Sequence, residues 1–162
     1  MRMLARGLAI SVAVVLLDQL SKGAVLFFFA KSPACVPRMP AAVTGFLNLV
    51  VTCNRGMSFG LLNNGAALNA VLLSLGAVAI VVVLGWWLSR VAHPFLAVAI
   101  GLVIGGAIGN VVDRLRFGAV VDFVDFHVGT WHWPAFNLAD SAICLGVAAM
   151  LFDGLLLHRE AH

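Results

Sequence analysis

Long apolar blocks alternate with short polar stretches along this chain. Hydrocarbon about 30 Å thick is crossed by roughly 20 apolar residues in a helix, so blocks of that length set the expectation. Four occur: about 7–30, interrupted by Asp18 and Lys22; 66–89, without a charge; 94–112; and 136–157, with Asp140 near its start and Asp153 near its end. The pattern predicts one membrane domain over 1–162, an all-α polytopic protein with four transmembrane helices.

The connections are unequal. Only 90–93 separates the second block from the third, whereas 31–65 and 113–135 are long and carry Gly, Pro and β-branched residues. Four crossings put both long connections on one side of the membrane, and the termini and the short turn on the other. Counting cations does not orient the bundle: Arg2, Arg6, Arg90 and Arg159 face Lys31, Arg38, Arg55, Arg114 and Arg116. Arg2 and Arg6 ahead of the first block favour a cytoplasmic N-terminus. They also suit an export signal, but Asp18, Lys22 and further apolar residues follow in place of a small-residue cleavage site.

Composition agrees with a lipid-facing surface. The chain is 62% hydrophobic and 10% charged, with a mean hydropathy of +1.06, where a soluble domain carries about 25% charged residues. Cys35, Cys53 and Cys144 are an odd set without the spacing of a disulfide framework or a zinc site. The histidines form no helical pair with an acid between them, and no Gly-rich phosphate loop or basic aromatic stripe is present. Metalloprotease, nucleotide and nucleic-acid readings are set aside, and no cofactor is expected.

The acids carry the chemistry that remains. They are Asp18, Asp113, Asp122, Asp125, Asp140, Asp153 and Glu160. An ionisable group inside a bilayer costs at least about 2.5–3.5 kcal/mol, so each buried one calls for a partner or a task. Asp18 and Lys22, four apart, share a helix face as a neutralising pair that braces neighbouring helices. Gly101, Gly105 and Gly109 repeat a Gly-xxx-Gly spacing that lets another helix approach closely. Asn110, Asp113 and Arg114 follow, and Asp113 with Arg114 suits a solvated helix end.

The stretch 119–126 is β-rich and nearly alternating. In extended backbone Asp122, Val124 and Phe126 share one face and Val121, Phe123 and Asp125 the other, so only one of the two acids faces a given site. Asn137 is a candidate N-cap with Asp140 in the first helical turn, where a capping-box acid complements the helix dipole. Asp140 also shares a membrane side and a depth with Asp122, with Asn54, Asn110 and Arg114 available nearby.

Five blocks spread over most of the chain resemble bacterial lipoprotein signal peptidase, the signal peptidase II family. They are Asp18-Gln-Leu-Ser-Lys22, Asn54-Arg-Gly56 with Phe59 and Gly60, Gly105 through Gly109 and Asn110 to Asp113 and Arg114, Gly118 with Asp122 and Phe123, and Phe136-Asn137-Leu-Ala139-Asp140. Met57 and Ser58 stand where the family usually has two alanines, a departure that bears on local substrate contact.

The resemblance implies four transmembrane helices with a small extracytoplasmic β-platform, both termini in the cytoplasm, and a place in the bacterial inner membrane. It implies an aspartic endopeptidase that cuts diacylglyceryl-modified prolipoproteins N-terminal to the lipidated cysteine. Asp122 and Asp140 would be catalytic. Asn54, Gly56, Asn110, Arg114, Asn137 and Ala139 would serve substrate and dyad, and Asp18 and Lys22 would support the fold. Lipidated prolipoproteins and membrane lipid are the expected partners of a monomer, with no nucleic acid.

Two carboxyls about 3 Å apart share one proton at working pH, and the start of a helix favours Asp140 as the ionised base. The rivals are a small proton-coupled transporter, with Asp18 or Asp140 as its carrier, and a structural subunit without chemistry. Transporter sites lie near the midplane between repeated halves, whereas these acids gather toward one surface.

Overall fold

No water inside hydrocarbon is available to an unpaired backbone N–H or C=O, so each apolar block closes into a helix that satisfies its own backbone. The computed structural model describes residues 2–29, 39–56 and 66–157. The helices are α1 (Arg2–Phe28), α2 (Ala66–Leu88), α3 (Pro94–Phe117) and α4 (Leu138–Phe152), which runs on through one π-helical turn at Asp153–Leu157. All four are long and apolar enough to cross a membrane. Met57 and Ser58, most of the 31–40 loop, Arg159 and Glu160 lie outside the described residues.

α3 is the centre of the bundle. Of its most apolar window 61% is buried, against 17–22% for the other three helices, which turn most of their Leu, Val and Phe side chains outward. Gly101 and Gly105 bring α3 onto the backbone of α1 at Gly7 and Ser11, where a Cβ would collide. Ser11 Oγ donates to the Gly101 carbonyl at 2.9 Å, a bond across the seam that only such a close approach permits. Gly109, the third of the repeat, leaves room for the Asp18 carboxylate, and Gly106 for the Ala139 carbonyl of α4.

The helix ends follow from local chemistry. Pro94 opens α3, where its missing N–H is not needed. Gly118, at φ +69°, closes it in the left-handed region with its N–H on the Arg114 carbonyl. α3 thus ends five residues later than its apolar block, because Asp113 has buried partners and does not need water. α4 starts at Leu138, two residues inside its block, because Asn137 caps it.

The two long connections meet in one antiparallel sheet of β1 (Ala41–Thr44), β2 (Leu47–Asn54), β3 (Val120–Val128) and β4 (Trp131–His132), in that order. β2 comes from the first connection and β3 from the second, and they pair from Leu47↔Phe126 to Asn54↔Val120. Both connections therefore emerge at the same end of the bundle. Phe123 and Val51 pack down on Val25 of α1, seating the sheet on the helices. Cys53 on β2 is disulfide-bonded, contrary to what its spacing suggested, and its partner lies outside the described residues; Cys144 is free and exposed.

Gly105→Leu should force α1 off α3 and lower the thermal unfolding transition of detergent-solubilised protein, at a cost of about 1–3 kcal/mol. Gly85→Leu, where a Cβ meets open space, should leave that transition in place.

Candidate active site

Strand β3, the end of α3 and the start of α4 bring two acids from separate elements to one place. Asp122, on β3, is 3% exposed. It receives a hydrogen bond of 2.7 Å from Asn137 Nδ2. Asp140, half-buried in the first turn of α4, receives one of 2.8 Å from Asn110 Nδ2. Asn137 Nδ2 also donates to Asn110 Oδ1 at 3.4 Å, so two buried asparagine amides join the aspartates in a chain Asp122–Asn137–Asn110–Asp140.

The capping box expected at α4 is present and is part of this site. Asn137 Oδ1 accepts from the Asp140 N–H at 2.9 Å, and Asp140 Oδ2 accepts from the Asn137 N–H at 3.2 Å. One carboxylate thus holds the helix start with one oxygen and faces Asn110 with the other.

Asp122 is in a different setting. Burial, and then the negative charge of Asp140, push its carboxyl from an ordinary 3.8 up to about 7. Donor bonds from Asn137 and Asn54 and the charge of Lys22 pull the other way without prevailing. Around neutral pH Asp122 therefore still holds its proton part of the time.

The remaining expected residues surround this pair. Asn54 ends β2, hydrogen-bonds Asp122 and accepts the Gly56 N–H at 2.9 Å. Gly56 sits at φ +74°, where a Cβ would run into Leu73. Arg114, half-buried, donates to the Asn110 carbonyl at 3.4 Å and lies within the fields of Asp140, Asp113 and Asp122. It also lines an apolar cavity of about 260 Å³ between α2 and α3, with Val71, Leu75 and Val111. Ala139, fully buried, packs against Gly109 of α3.

Asp18 and Lys22 pair as expected, at 2.8 Å. Asp113 does not follow expectation: it is fully buried, and its carboxylate meets the same Lys22 ammonium at 2.7 Å instead of facing water at a helix end. Gln19 donates to both acids, at 3.1 Å to Asp18 and 2.9 Å to Asp113. The one signal for this was arithmetic: several acids in or beside the spans, and Lys22 the one lysine within them.

Asp125 turns to the other face of β3. It takes bonds from Asn48 at 2.9 Å and from His132, and the Asn48 donor, with His132 behind it, holds its carboxyl below the ordinary range.

Four apolar helices with an aspartate pair linked through two asparagines at one end, between helix and sheet, define a multi-pass membrane protein. Residues 10–156 match the family described as signal peptidase (SPase) II, and the chain belongs to that family. It is 44% identical over 159 residues to a lipoprotein signal peptidase of Burkholderia cenocepacia (strain HI2424), covering 98% of this chain and 92% of that protein. The figures are the same for one from Burkholderia mallei (strain SAVP1). A bacterial membrane enzyme solved by the in meso method at 1.9 Å resolution superposes with a TM-score of 0.76 at 28% identity, over 93% of this chain and 92% of that one.

A carboxyl raised in the fold stabilises it most below its ordinary value and loses that contribution as pH rises through the raised one. Wild-type unfolding temperature should therefore decline between about pH 4 and pH 7 relative to Asp122→Asn, and the variant should be the more stable above pH 7. Differential scanning at stepped pH measures this; parallel curves would mean that Asp122 ionises at its ordinary value.

Proposed function

We propose that this chain removes the signal peptide from diacylglyceryl-modified prolipoproteins, cutting N-terminal to the lipidated cysteine, with Asp122 and Asp140 as its catalytic pair. The observation that carries the reading is the Asn110–Asn137 bridge between two acids in unlike settings, Asp122 buried with its carboxyl raised to about 7 and Asp140 in the first turn of a helix.

Asp140 takes a proton from water, whose oxygen adds to the scissile carbonyl carbon. Asp122 donates its proton toward the carbonyl oxygen as charge develops there. The tetrahedral intermediate collapses when Asp140 hands its proton to the leaving amine nitrogen and Asp122 recovers its own. No covalent bond to the enzyme forms.

Arg114 and Asn54 are placed to donate to backbone carbonyls of the bound peptide, and the cavity between α2 and α3 suits its apolar part. A disulfide at Cys53 persists in an oxidising compartment, which supports a sheet outside the cytoplasm and both termini within it. Arg2 and Arg6 agree. One chain supplies both acids and their supports, so a monomer suffices. A proton-coupled transporter would want its acids near the midplane, and nothing in this geometry favours it.

Cleavage of a lipidated prolipoprotein by reconstituted enzyme is the test. Asp122→Asn and Asp140→Asn should each lower kcat/KM by about 10²–10⁴-fold or more, and near-normal turnover by either would remove that aspartate from the mechanism. Wild-type kcat/KM should also fall as pH rises through about 7, where Asp122 loses its proton.

A further inference from the structure

A buried ion cluster lies beneath the aspartate pair. Asp18 and Asp113 are fully buried and Lys22 is 2% exposed, and one ammonium serves two carboxylates. Such clusters are poor stabilisers, since desolvating the ions costs about as much as their attraction returns. Their other bonds say what this one does.

Asp18 Oδ1 accepts the N–H of Ala139, the residue before Asp140, at 3.0 Å. Asp113 Oδ2 accepts the N–H of Val121, the residue before Asp122, also at 3.0 Å. The two aspartates are thus gripped in the same way, from the backbone amide one residue upstream. The two grips share Lys22 and Gln19. For α4 the grip satisfies an otherwise unpaired N–H of the first helical turn, a cap supplied by another helix. Lys22 also stands 3.4 Å from Asn110 Oδ1, at the centre of the asparagine bridge.

We infer that Asp18, Lys22 and Asp113 are positioning residues. Lys22 holds two carboxylates at a fixed separation, and each carboxylate fixes the backbone beside one member of the pair, so the spacing of Asp122 and Asp140 is set from inside the bundle. This rests on the reading of those two aspartates as catalytic.

Asp113→Ala and Asp113→Asn separate positioning from bracing, because Asn keeps an oxygen that can accept from Val121 and Lys22. Asp113→Ala should lower kcat about 10- to 100-fold with KM within about threefold, the scale of a misplacement near 1 Å. Asp113→Asn should restore kcat to within about threefold of wild type. Wild-type kcat per folded molecule in Asp113→Ala, with only a lower unfolding temperature, would overturn the inference, as would equal losses in both variants.

Should Asp113→Ala fail to fold, Gln19→Met removes a donor from each carboxylate without stranding a charge. A several-fold drop in kcat at constant KM supports the clamp, and unchanged kcat overturns it. Asp122→Asn runs alongside: activity in that variant would refute the catalytic reading itself, independently of the clamp.

Discussion

Two carboxyl groups brought together away from water resist ionising together, and the segments carrying them must withstand the repulsion at whatever separation they are built to keep. Asp122 and Asp140 sit on a strand and a helix that have no covalent reason to stay together. What joins them is directional: two asparagine amides across the top and two backbone amides held by buried carboxylates beneath. Most of the unusual features of the chain, from the lysine in its first span to the glycines of its third, are consequences of that requirement.

The glycine column of α3 shows how packing reaches the chemistry. With lipid as solvent, apolar side chains gain little by choosing a neighbouring helix over a tail, and helices associate through close contact and hydrogen bonds. Gly101 and Gly105 provide that contact with α1. Because α1 then lies close along its length, Asp18 slides in over Gly109 and reaches the Ala139 amide of α4, which packs on the same glycine. A bulkier helix face would force α1 away and keep Asp18 from α4.

What was legible in the sequence is what short-range physics decides. Block length gave the helices, the Asn137–Asp140 spacing gave the capping box, and the alternation in 119–126 separated Asp122 from Asp125. What was not legible depends on partners far along the chain. Asp113 beside Arg114 looks like a solvated helix end until Lys22, from another span, is placed against it. Gln19 has no local signature at all, and the disulfide at Cys53 follows from where loops meet, which spacing does not encode. The register of β2 on β3 belongs to the same class, since its strands come from two connections with two helices between them.

The division of labour between the acids also follows from the elements that carry them. Asp140, in the first turn of a helix, receives N–H groups from two sides. Asp122, on a strand, spends its position on burial instead. Lys22, in the cluster below, lowers its proton affinity without overcoming burial and the charge of Asp140. Setting one on a strand and one on a helix cap makes the asymmetry of the pair a property of the backbone, fixed before any substrate arrives.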